Sequence, residues 1–173
     1  MIINFDKTKE LVIGPPSITS YILPLRSPSG YNIERVSSAK LLGIYLDDKF
    51  SWSVHVEDML SKAIQRLYFL KQLKRAGVPT AQLLHYLVAI LPVLEYAAPV
   101  WHHLLNKSQT DQLEAIQKRA IRIIYTYTAS MPYMSALYIA DLETLANRRE
   151  QLSRRFFYFC SPAGGVFICS VTT

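Results

Sequence analysis

The chain has 173 residues, half of them hydrophobic, with 19 Lys and Arg against 13 Asp and Glu and a net charge of +6. That length fits one ordinary domain or a small subdomain joined to a helical one, and the apolar fraction can build a sizeable core, which excludes wholesale disorder. The two cysteines, Cys160 and Cys169, exclude a disulfide scaffold, and without a nearby histidine they do not spell a zinc site.

The N-terminus, "MIINFDKTKE", is charged at positions 6, 7, 9 and 10, so no signal peptide is expected. The first fifty residues read as strands and turns. "ELVIG" is a short apolar run stopped by Gly14-Pro15-Pro16, and "SYILPL" is a second run broken at Pro24. "RSPSG" is a turn, and "YNIERV" alternates apolar and polar with period two. "KLLGIYL" is an apolar run with Gly43 in mid-strand, which predicts a bulge or a close backbone approach.

From Ser51 onward the period becomes helical. Trp52, Val56, Met59, Leu60, Ala63, Leu67 and Leu70 fall on one stripe, which predicts an amphipathic helix ended by Gly77-Val78-Pro79. A second helix follows from about Thr80, with Pro92 inside it and a kink or break expected near Leu91. Residues 83–101, "LLHYLVAILPVLEYAAPVW", are long enough for a membrane span of about 20 residues. His85, Pro92, Glu95 and Pro99 argue instead for a helix buried among others, because an acid inside a bilayer is rare and costly. Ser108-Gln109-Thr110-Asp111 has the form of a capping box and opens a helix with Leu113, Ile116, Ala120 and Ile123 on its apolar face. A last helix runs from about Leu142 to Phe159, with Leu145, Leu152 and Phe156 inward.

The predicted fold is therefore α+β: a small antiparallel sheet over residues 1–50, then a mainly helical domain of four helices over 51–159. Residues 160–173, "CSPAGGVFICSVTT", carry no charge, and this tail is expected to be disordered or loosely packed. Charge follows the same division. Residues 1–60 hold six bases and seven acids, whereas residues 61–159 hold thirteen bases and six acids. A polyanion is thus a partner for the second half only, against the plainer alternative of a solvated basic face.

Five segments occur in a telling order: "NFDKTKELVI" at 4–13, "VSSAKLLGIYLDDKFSWSVHVEDMLSKAIQRLYFLKQLKR" at 36–75, "YLVAILPVLEYAAPVWHHLL" at 86–105, "QLEAIQKRAIRIIY" at 112–125 and "LETLANRREQLSRRFF" at 142–157. Together they resemble the carboxy-terminal part of the reverse transcriptase of non-LTR, LINE-type retrotransposons of the jockey-like or CR1-like kind. The resemblance implies that Asn4, Lys7 and Thr8 match a late palm motif. It also implies that Lys40, Leu42 and Gly43 match a hairpin that holds the primer end, and that the helices form a thumb-like bundle.

Tyr45-Leu46-Asp47-Asp48 spells the Tyr-x-Asp-Asp of a reverse transcriptase metal site. In the family, however, that motif precedes the Asn-x-x-Lys-Thr segment, whereas here the aspartates follow it by some forty residues. Two-metal nucleotidyl transfer needs carboxylates converging from different strands, and Asp6, Glu10 and Glu34 offer no recognisable third ligand. Asp47 and Asp48 are therefore read as turn and first-turn acids, with no catalytic residue, metal or cofactor expected, although full-length relatives would use Mg. His55 and the pair His102-His103 have no partner at metal-ligand spacing and are read as structural or surface histidines.

The remaining signal is basic. Lys62 and Arg66, then Lys71, Lys74 and Arg75, then Lys118, Arg119 and Arg122, then Arg148, Arg149, Arg154 and Arg155 recur on successive helices. That pattern suits a thumb gripping an RNA–DNA or DNA duplex through its phosphates without reading bases. The expected nucleic-acid residues are Lys7, Lys40, Gly43 and the first three helical clusters; no membrane or small-molecule substrate is expected, and location would be nuclear or cytoplasmic. The reading is a retrotransposon-derived polymerase fragment with no catalysis of its own. Its main rival is a host-adopted helical module that binds nucleic acid or protein, and a membrane-associated protein is a third alternative.

Overall fold

A computed structural model describes residues 4–160. It divides into two compact units, Met1–Asp58 and Met59–Thr173, with the division inside the first long helix.

In the first unit, regular structure is sparse. A 3-10 turn at Phe5–Lys7 leads into β1 (Lys9–Glu10), which pairs in parallel with β2 (Glu34–Arg35). Arg35 Nε reaches Glu10 Oε2 at 2.9 Å, and this bond holds the Glu10 carboxyl below its usual range. The expected strands "ELVIG", "SYILPL" and "YNIERV" shrink to these two short segments, and Pro16–Thr19 forms a one-turn helix, α1. The prolines at 15, 16 and 24 remove donors that longer ladders would need.

"KLLGIYL" is not one strand. β3 (Ser38–Leu41) and β4 (Ile44–Asp47) pair antiparallel, with Lys40 opposite Tyr45 and Leu41 opposite Ile44. Leu42 and Gly43 form the connecting turn, at φ 48° and 88°. Two successive positive φ values are what a tight two-residue hairpin turn requires, and Gly43 adopts one without steric cost. The expected bulge at Gly43 is thus a hairpin turn. This is the small antiparallel sheet of the α+β fold.

α2 (Ser53–Arg75) carries the expected stripe, with Trp52, Val56, Met59, Ala63, Leu67 and Leu70 all buried. It ends where Gly77 takes φ 78°, closed by Val78 N to Leu73 O and Gly77 N to Lys74 O, both 3.2 Å. α3 (Thr80–Glu95) continues as a helix past Leu91, and Pro92 lies inside it on an exposed position. The break comes later, at Tyr96 and Ala97, where Ala97 adopts φ 52°. Burial of Ile90, Leu91 and Leu94 on both sides of the proline offsets the one lost hydrogen bond. α4 (Ala98–Trp101) and a 3-10 turn (His102–Leu104) follow.

No single described helix is long and apolar enough to cross a membrane. α3 and the Ala98–Leu104 segment pass that test only as a pair bent by 41°, and Leu83, Leu87, Ile90, Leu94 and Trp101 of that pair are buried within the protein.

α5 (Lys107–Ile124) starts two residues ahead of the expected box. Asn106 is the cap: its Oδ1 accepts from Gln109 N at 2.8 Å, while Gln109 Oε1 accepts from Asn106 N at 3.0 Å. A 3-10 segment (Thr126–Ser130) and α6 (Tyr133–Ala140), neither foreseen, bury Ala136, Leu137 and Ala140 against Ile121.

α7 (Leu145–Cys160) faces differently from expectation. Leu145, Arg149 and Ser153 are inward, and Leu152 and Phe156 are exposed. Except for Cys160, the tail expected at 160–173 lies outside the described residues.

Candidate nucleic-acid interface

The expected basic residues meet very different fates. In the first unit, Lys7 is exposed on the 3-10 turn, with its backbone N–H on Asn4 Oδ1 at 3.3 Å. Lys40 places its ammonium 4.9 Å from the Tyr45 ring centroid across the hairpin whose turn Gly43 completes. The helical clusters lie in the second unit. There Arg66 donates to the Ala89 carbonyl of α3, and Lys74 Nζ donates to Ile124 O at 3.0 Å, closing the carbonyl end of α5. Lys118 sits 5.9 Å from the Tyr133 ring. Lys62 and Arg75 are exposed on α2.

The structure brings Lys71, Arg119 and Arg122 together. They line a groove of about 380 Å³, with Lys71 from α2 and the two arginines from α5. Its α2 wall is completed by Ile64, Leu67 and Tyr68, and Ile123 of α5 adds a further apolar contact. The geometry follows from helix periodicity. Positions 64, 67, 68 and 71 share one face of α2, and 119, 122 and 123 share one face of α5. All three cations are free of ion pairs and hydrogen bonds among the described residues, so their charge is open to solvent or to a ligand.

On α7, Arg148, Arg149 and Arg154 have neighbours within the protein, whereas Arg155 is exposed. Arg148 holds Glu95 with both prongs, Nε to Oε1 at 2.5 Å and Nη2 to Oε2 at 3.1 Å, and this bonding raises the arginine's already high pKa. Arg154 Nε binds Glu150 Oε1 at 2.7 Å, which holds Glu150 below the usual carboxylate range. Arg149 is fully buried, with its guanidinium 5.7 Å from the Trp101 ring and both Nη atoms without a hydrogen-bond partner. Burial lowers its pKa, against the opposing fields of Glu114 and Glu95. Glu114 is itself occupied, accepting Tyr133 Oη and the Ala146 N–H at the start of α7, each at 2.7 Å. Burial and this carboxylate push the Tyr133 phenol well above its usual range.

Glu150 also gives the histidine pair the neighbour that sequence spacing did not. Its Oε2 lies 3.5 Å from His102 Nε2 and 3.8 Å from His103 Nδ1, and the three ligand atoms fall within 4.8 Å of one another. Among the described residues this is the one such cluster of three, and neither Asp47 nor Asp48 belongs to it. The spacing admits a small cation, but the proton pattern opposes one. Arg149 Nε donates to His102 Nδ1 at 3.4 Å, so the neutral ring carries its proton on Nε2 and turns that N–H, not a lone pair, toward Glu150. Burial first, and then Arg149, lowers the His102 pKa. In the hairpin, Asp47 accepts both the backbone N–H of Ser51, at 2.8 Å, and the Ser51 hydroxyl.

Comparison with known proteins gives two matches. A Drosophila melanogaster protein named "Probable RNA-directed DNA polymerase from transposon BS" is 27% identical over 128 residues, covering 70% of this chain. The chain spans only 14% of that protein. A family model described as the N-terminal part of alkylated DNA repair protein alkB homolog 8 matches residues 52–87, which are Trp52, α2 and the first half of α3. No solved structure matches the chain.

Sequence reasoning marked Lys71, Arg119 and Arg122 but grouped them with their chain neighbours, not with each other. It missed Tyr68 and Ile64. The signal available was the spacing Ile64, Leu67, Tyr68 and Lys71, an apolar and aromatic stripe ending in a base.

Proposed function

We propose that the chain is a retrotransposon-derived reverse transcriptase fragment, the end of the palm plus the thumb, which holds nucleic acid without sequence preference and performs no polymerisation itself. The observation that carries this reading is the convergence of Lys71, Arg119 and Arg122, from two helices, on one groove with their charges unpaired. Phosphate oxygens are the natural partners for such a set, because they accept from lysine and arginine wherever the backbone passes. The similarity to a transposon polymerase supports the origin. For catalysis, Asp47 is already engaged by Ser51, and no third carboxylate joins Asp47 and Asp48 among the described residues.

The test is binding of an RNA–DNA duplex by fluorescence anisotropy across a salt series, alongside primer extension with Mg²⁺ and Mn²⁺. Affinity should fall steeply as salt rises, because each neutralised phosphate releases counterions. No extension should exceed a heat-killed control. Salt-insensitive binding, or none at low salt, would favour the rival module that binds protein; template-dependent incorporation would contradict the noncatalytic reading.

A further inference from the structure

The groove between α2 and α5 contains more than cations. A duplex offers a protein its phosphates and sugars, with the flat faces of its bases stacked out of reach. Lys71, Arg119 and Arg122 suit that surface; the apolar side chains beside them do not need it. Ile64 and Tyr68 are 49% and 60% exposed, so the groove keeps an aromatic ring and an aliphatic side chain in water next to unpaired positive charge. The volume of about 380 Å³ lies within the ~300–1,000 Å³ of ordinary small-ligand sites. Aromatic side chains beside a basic track are the means by which proteins hold single strands, since every base has a face to stack.

We infer that this groove takes unpaired nucleotides of a single strand: a base against Tyr68 and the aliphatic wall, and the flanking phosphates on Lys71, Arg119 and Arg122. The inference rests on the nucleic-acid reading and narrows its ligand from a duplex backbone to exposed bases. An acidic apolar peptide would satisfy the same charges, but it would show no dependence on bases.

The experiment compares the full chain's affinity for an oligodeoxyadenylate of about 12 nucleotides, within the ~4–16 that such grooves cover, with that for an abasic strand of equal length and charge. The adenylate should bind about tenfold more tightly. Tyr68→Ala should remove that preference, and Tyr68→Trp should restore it. Tyr68 is exposed enough that neither change threatens folding. Equal binding of the two strands, or a preference that survives Tyr68→Ala, overturns the inference and leaves duplex binding standing. Absence of both single-strand and duplex binding by the native chain removes the underlying reading as well.

Discussion

Two regions of the helical unit carry basic residues in similar density and use them in opposite ways. On α7, Arg148, Arg149 and Arg154 face Glu95, Trp101, His102 and Glu150, with Arg149 buried and Arg154 in a surface ion pair. On α2 and α5, Lys71, Arg119 and Arg122 face a groove with no acid to pair with. A net charge therefore says little about where a polyanion can sit; what matters is which cations lack an internal partner. The α7 arginines should govern stability, and the groove cations should govern binding.

The largest expected effect lies at Arg149. Arg149→Ala should lower the unfolding free energy by about 3 kcal/mol, through the cavity it leaves and the loss of the buried cation that Glu114 and Glu95 face. Urea denaturation measures it; a loss below about 1 kcal/mol would mean that the guanidinium is dispensable to the fold. Arg148→Ala should cost less, about 2 kcal/mol. It strands the mostly buried Glu95, but Arg148 itself is partly solvated, and solvent screens the pair.

A smaller effect is tied to pH. Burial and the Arg149 guanidinium lower the His102 pKa in the folded protein, so the unfolded chain binds the extra proton more readily and stability rises with pH. That contribution is fully present above the ordinary histidine pKa of about 6.5 and is lost as pH falls from there toward the lowered folded-state value. His102→Asn keeps an acceptor for Arg149 and should flatten this part of the profile. An unchanged slope in the variant would assign it to another group. The smallest change is expected at the hairpin: Asp47→Asn should alter stability by no more than about 0.5 kcal/mol, because asparagine still accepts from Ser51, and thermal denaturation would show a larger loss if the carboxylate had a further role.

The parts of this architecture that were legible in the sequence are those set by local period. The stripe from Trp52 to Leu70 and its Gly77 stop follow from one helix burying one face. The hairpin was hidden because Leu42, at φ 48°, is an unusual residue for a left-handed turn position, so an apolar run looked continuous. The inward face of α7 was hidden because a buried arginine and serine lie at 149 and 153, while the more hydrophobic 152 and 156 face out. Hydropathy favours the wrong face when a cation is the core residue. The groove itself is tertiary, and no local spacing links Lys71 to Arg119.

The contrast between the two regions is tested most directly by the slope of log affinity against log salt for an RNA–DNA duplex, measured on the native chain, on Arg119→Gln with Arg122→Gln, and on Arg154→Gln. Removing the two groove arginines should shrink the slope by about 1.8, at ~0.9 for each phosphate left without its cation, with little change in melting temperature. Arg154→Gln, whose arginine is already paired with Glu150, should leave the slope unaltered. A slope that ignores Arg119 and Arg122, or that falls equally with Arg154, would contradict the account.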